Sequence, residues 1–88
     1  MTKGTTESGF KYEVNENVFK DMRFLSLMRK AYENPMYYDD LFVKVFGEEQ
    51  TEALYKHVED REGYADAEMV SKEFIEVMQT AGDETKNS

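Results

Sequence analysis

The sequence predicts an all-α domain, a small bundle of about four short helices preceded by a short extended N-terminal segment. Three observations predict it. Apolar residues recur at spacings of three and four through most of the chain after Asn15. The punctuation between those runs (Asn34-Pro35, Gly47, Gly63, Gly82) is of the kind that starts and stops helices. Only one run alternates with period two, so a strand would lack a partner. The 88 residues set one domain with a single modest core, and a 40 % hydrophobic, 14 % aromatic composition is enough to build it.

Residues 1–9 are Thr, Gly and Ser with single charges, and are expected to be a disordered tail. In the domain proper, residues 10–82, Phe10, Tyr12 and Val14 alternate with Lys11 and Glu13 as a short strand or extended arm. That arm is expected to lie on the helices; the alternative is pairing with another chain by strand addition. The first helix is expected from about Asn15–Asn17, where either Asn can cap, to Asn34-Pro35. Val18, Met22, Leu25, Met28 and Tyr32 form its stripe, widened by Phe19, Phe24 and Leu27. The second runs from Pro35 to Phe46 and stops at Gly47; its Leu41–Phe46 stretch would also suit a strand, but the proline start and glycine stop favour helix. The third covers about Glu48–Glu59, with Ala53, Leu54 and Val58 inward and a break at Glu62-Gly63-Tyr64. The fourth, Asp66–Thr80, has the stripe Ala67, Val70, Phe74, Val77, Met78, Ala81 and stops at Gly82. Residues 83–88 are expected to be a disordered polar tail. The expected core is Val18, Met22, Leu25, Met28, Leu41, Phe42, Val45, Leu54, Val58, Val70, Phe74 and Val77.

Charge narrows the function. The net charge is −8, and it is unevenly spread: residues 1–47 carry seven acids and seven bases, residues 48–85 twelve acids and three bases. An acidic half repels phosphate backbones and anionic bilayers, so neither nucleic acid nor membrane is an expected partner. No apolar run approaches the ~20 residues that span a bilayer, and the N-terminus has no apolar signal region, so a soluble cytosolic protein is expected.

Catalytic and metal chemistry find few parts. There is no cysteine and one histidine, His57, so a zinc site lacks ligands and no metal or cofactor is expected. Nothing in the sequence places a serine beside His57. The Asp60–Asp66 segment superficially suits a calcium loop, but setting Gly63 sixth puts Val58 first and Met69 twelfth, and neither is a ligand. Glu48 with Glu52 and Glu73 with Glu76 could be paired carboxylates; Glu52–Lys56 and Glu68–Lys72 instead have the i,i+4 spacing of a solvated helix face. No phosphate loop or oxyanion device accompanies them, so the protein is not expected to be an enzyme. What stands out is excess: twelve aromatics and six methionines in so small a domain exceed what four short helices need inside. A partner-binding face exposing Phe19, Phe24, Tyr37 and Tyr38 is expected on that ground.

The run Phe46-Gly47-Glu48-Glu49-Gln50, then Leu54-Tyr55-Lys56-His57, then the Glu62-Gly63 turn, Ala67-Glu68-Met69 and the ending Lys86-Asn87-Ser88, resembles the tail assembly chaperones of long-tailed (siphovirus-type) phages and prophages of Gram-positive bacteria. The resemblance covers residues 10–88, with Phe46 where that family has leucine and Glu62 where it has aspartate. It implies a non-catalytic protein that binds the tape-measure protein, a long, largely helical, aggregation-prone chain, and keeps it soluble while the tail tube polymerises. It further implies a place in the host cytoplasm and absence from the mature virion. It also implies self-association and a longer form made by ribosomal frameshifting near the end of the gene. The reading from another class is a small acidic DNA mimic or inhibitor on a basic protein surface. Mimicry would weaken steeply with salt, whereas docking of an apolar helix would change little.

Overall fold

A computed structural model describes residues 1–87, with side chains through Ala81. The all-α expectation does not hold. The chain is mostly helical, with three α-helices, but it opens with a two-stranded antiparallel sheet. Strand β1 (Thr2–Thr5) pairs with β2 (Lys11–Val14) in the register Thr2↔Val14, Lys3↔Glu13, Gly4↔Tyr12, Thr5↔Lys11. Residues 1–9, expected outside the fold, therefore supply the missing partner strand. Thr2 in the strand and Thr6 just after it are the buried positions, rather than apolar residues. Their hydroxyls donate to Glu16 Oε2 and Glu73 Oε1, each at 3.0 Å. At Gly4 the Tyr12 ring lies across the strand, and a Cβ there would stand 2.4 Å from the Tyr12 hydroxyl. A strand that alternates Thr and Gly carries no hydrophobic period to read. Strand β2 follows its pattern, with Phe10, Tyr12 and Val14 buried.

After β2, Asn15 caps a 3₁₀ turn, Glu16–Lys20, and not the expected long helix. The chain straightens at Asp21, which caps α1 (Met22–Glu33) by accepting from Arg23 N at 2.8 Å. Its carboxylate also pairs with Lys44 Nζ at 2.9 Å, fastening the start of α1 to the next helix. Lys44 beside it and the cap hydrogen bond hold Asp21 below the usual carboxylate range. Moving the helix start from Asn15 to Met22 resets which face is buried. Phe24 and Ala31 go into the core, with Leu27 and Met28 packed against it. Met22 (73 % exposed) and Leu25 (46 %) point to solvent, against expectation. Asn34 ends α1 and caps a short 3₁₀ turn, Pro35–Tyr37.

Helix α2 (Tyr38–Glu62) joins what the sequence divided into second and third helices. Gly47 does interrupt the helical backbone, with φ 80° and ψ 167°, but as a kink after which the helix resumes at once. Around it Thr51 Oγ1 donates to the Gly47 carbonyl at 2.7 Å, and Gln50 Nε2 to the Phe46 carbonyl at 2.9 Å. Gln50 also donates to the Glu13 carbonyl and accepts from the Glu13 amide, both at 2.7 Å, so the outer edge of β2 is closed by a side chain. Tyr55, beyond the kink, donates to Asp39 before it. Gly63 caps α2, and α3 runs from Ala67 to Asn87, past the expected stop at Gly82. Glycine in a helix interior is only mildly unfavourable and does not compel a stop. The side chains of the expected polar tail, 83–88, lie outside the described residues.

The core sits where β2 and α3 meet α2. Phe46 packs edge-on to Phe10 and Phe74 at 6.0 and 6.2 Å between ring centres, and Phe42 lies 5.0 Å from Phe74. Leu41, Phe42, Val45, Leu54, Val58, Val70, Phe74 and Val77 are buried as expected. Among the described residues no helix is long and apolar enough to cross a membrane.

Candidate functional site

Helices α1 and α3 each pack on α2, and a groove of about 260 Å³ opens between them. Leu41, Phe42 and Phe74 form its floor, Met28 and Tyr32 one wall, Ile75 and Met78 the other. Each wall follows from helical phasing. On α1, Met28 and Tyr32 lie one turn apart at the margin of the buried face, and Leu25 and Met22 continue the apolar surface outward. On α3, Ile75 stands beside the buried stripe Val70–Phe74–Val77. Tyr32 is 91 % exposed, so the wall projects well above the floor. Two methionines in the walls can adjust their shape to what lies against them.

Across the stacked rings of Tyr38 and Phe42 (6.0 Å, 11°) lies a second apolar cavity of about 290 Å³, between Pro35, Tyr55, Ala65 and Val70. Its rim is acidic. Asp39 lines it and holds the Tyr55 hydroxyl. Asp66 caps α3 by accepting from Met69 N at 3.0 Å, and Glu68 is exposed in the first turn of α3. Burial, with the Asp39 carboxylate beside it, pushes the Tyr55 hydroxyl far above its ordinary range, so it stays a donor.

The four residues expected on one exposed face are not brought there together. Phe24 is buried at 4 % exposure. Phe19 is half-buried, edge-on to Phe24 at 5.4 Å. Tyr38 is partly buried on Phe42, and Tyr37 alone reaches 36 % exposure, beneath Lys30 Nζ at 5.8 Å. Of the four only Tyr38 lines the groove, whose walls are Met28, Tyr32, Ile75 and Met78. The available signal was that Ile75 flanks the apolar stripe of the last helix; Tyr32 stood within the expected stripe of the first and gave none.

His57 is not isolated. Its Nε2 lies 2.9 Å from Ser8 Oγ and 3.6 Å from Glu73 Oε1. Ser8 and Thr6 both donate to Glu73 Oε1, and Glu7 N donates to Glu76 Oε2 at 2.8 Å. Glu73 is 8 % exposed, and Thr6 Oγ1 also accepts from Phe10 N at 3.0 Å. The residue types are those of a nucleophilic triad, but the geometry is not. A relay needs the acid on Nδ1 while the serine meets Nε2. Here acid and serine share the Nε2 side, and the serine hydrogen points at the carboxylate. The cluster fastens the hairpin loop to α2 and α3. Among the described residues no three His, Asp or Glu side chains gather to hold a metal ion.

Four of the residues that carried the sequence resemblance serve the fold. Gly47 makes the kink, Gln50 closes the β2 edge, His57 meets the hairpin loop and Gly63 caps α2. Compared with protein-family models, curated proteins and solved structures, the chain matches none.

Proposed function

We propose that this protein is a phage or prophage tail assembly chaperone, a non-catalytic binder that holds apolar helical stretches of the tape-measure protein in the groove between α1 and α3. The groove carries the reading: three helices leave an apolar channel floored by Leu41, Phe42 and Phe74, with the geometry in which an amphipathic helix lays its apolar face. The net charge of −8 supports the solubilising half of the role, because a bound aggregation-prone chain gains the repulsion of its carrier. On this reading the protein acts in the host cytoplasm, is absent from the finished particle and is accompanied by a longer frameshifted product.

Co-expression with the tape-measure protein of the same genome tests the role. The wild type should keep that chain in the soluble fraction. The Tyr32→Ser/Ile75→Glu double variant, altered only at exposed wall positions, should lose the effect while its helical circular dichroism is unchanged. A variant that still solubilises the chain would move the binding surface elsewhere. A wild type with no effect would end the reading.

A further inference from the structure

We propose that the helix bound by this protein is basic as well as apolar: its bulky side chains seat in the two cavities on either side of Tyr38 and Phe42, and its lysines or arginines face Asp39, Asp66 and Glu68. The proposal rests on the binder reading above and adds the chemistry of the partner.

The two cavities are neighbours. Tyr38 and Phe42 line both, so one continuous apolar surface runs from the α1–α3 groove to the pocket beneath Pro35 and Tyr55. The volumes, about 260 and 290 Å³, each admit large aliphatic or aromatic side chains. The ends differ in charge. Among the described residues no charged side chain lines the groove. At the other end the carboxylates dominate. Asp39 gives one oxygen to Tyr55 and Asp66 bonds Tyr64 and Met69 N, while Glu68 is 77 % exposed with only a 3.9 Å contact to Lys72. A second copy of this chain is a poor occupant, because its exposed apolar helix face belongs to a molecule that also carries −8. An acidic amphipathic helix meets the same repulsion. An apolar helix with a basic end satisfies both features.

Three synthetic helical peptides test this against the full-length protein: one apolar stripe of leucines at i, i+3, i+4, i+7, flanked by lysine, by glutamine or by glutamate. In fluorescence anisotropy at about 50 mM salt the lysine peptide should bind about tenfold tighter than the glutamine one, the sum expected of two or three exposed ion pairs. The glutamate peptide should be weakest. At about 0.5 M salt the three should converge while binding persists, because screening removes the ion pairs and leaves apolar contact. Asp39→Asn with Glu68→Gln should pull the lysine-to-glutamine affinity ratio toward one, and an unchanged ratio would overturn the proposal. Equal affinities at low salt, a preference for glutamate, or no binding by any peptide would overturn the proposal. The co-expression experiment separates the two readings. Solubilisation of the tape-measure protein without charge preference keeps the role and removes this inference. Charge-selective peptide binding without solubilisation keeps the inference and removes the role.

Discussion

Replacing Gly47 by alanine sets two physical effects of opposite sign against each other. If α2 were a continuous helix, alanine would favour it by about 1 kcal/mol over glycine. Gly47 instead has φ 80° and ψ 167°, a region essentially reserved for glycine, where an L-residue costs about 1–3 kcal/mol. Space is not at issue, since a Cβ at Gly47 meets nothing within 4 Å. The whole penalty is therefore backbone strain. Straightening the helix to escape it would part Tyr55 from Asp39 and Gln50 from Glu13. Gly47→Ala is expected to destabilise by about 1–3 kcal/mol in urea melts followed at 222 nm, with an unchanged denaturant slope. The chain is short enough for chemical synthesis, which gives the control. D-alanine at position 47 finds this conformation in its mirror-image extended region and should be neutral or stabilising. An L-alanine variant more stable than wild type would show that the kink does not exist in solution, and the reasoning would fail.

Three further outcomes follow from packing and charge. Phe24→Ala should cost about 3–5 kcal/mol, because Phe24 is buried against Phe19, whereas Tyr32→Ser should stay within about 0.5 kcal/mol; equal effects in thermal melts would mean that the α1 face is misassigned. Glu73→Ala leaves the Thr6 and Ser8 hydroxyls without their acceptor and should cost about 1–3 kcal/mol, with faster amide exchange across residues 2–14 but not in α2; Glu73→Gln, which keeps an acceptor oxygen, should cost less. Asp21 has a lowered folded-state pKa, so the stability it contributes is present above the ordinary aspartate value of 3.8 and is lost as pH falls through the folded value. Asp21→Asn should therefore flatten the acid limb of a stability–pH profile, and an unaltered limb would remove the Lys44 pair from the account.

Helix cores, turn residues and the buried face of β2 were legible because each has a local chemical signature. Leu54, Val58, Val70, Phe74 and Val77 sit at helical spacing and are buried. Asn34 with Pro35 marks a cap, and it is one. Strand β1 was not legible because hydrogen bonds, not apolar area, settle Thr2 and Thr6, and their acceptors Glu16 and Glu73 lie 14 and 67 residues away. The Gly47 kink was half legible. Glycine announced an interruption, but whether the chain turns back or resumes its helix depends on Gln50 and Thr51 holding the backbone on either side.

The exposed apolar face of α1 was misread for a related reason. The segment from Val18 to Tyr32 has apolar residues on every side, so periodicity alone leaves its buried face undetermined. The start of the helix decides it, and that start depends on Asp21. As a cap with extended backbone, paired to Lys44 on α2, Asp21 ends the 3₁₀ turn and begins α1 at Met22. From that phase Phe24 turns inward and Tyr32 outward. The aromatic surplus does leave apolar surface exposed, but on Tyr32 rather than Phe24. One carboxylate that reads as an ordinary charged residue thus determines which side chains α1 exposes.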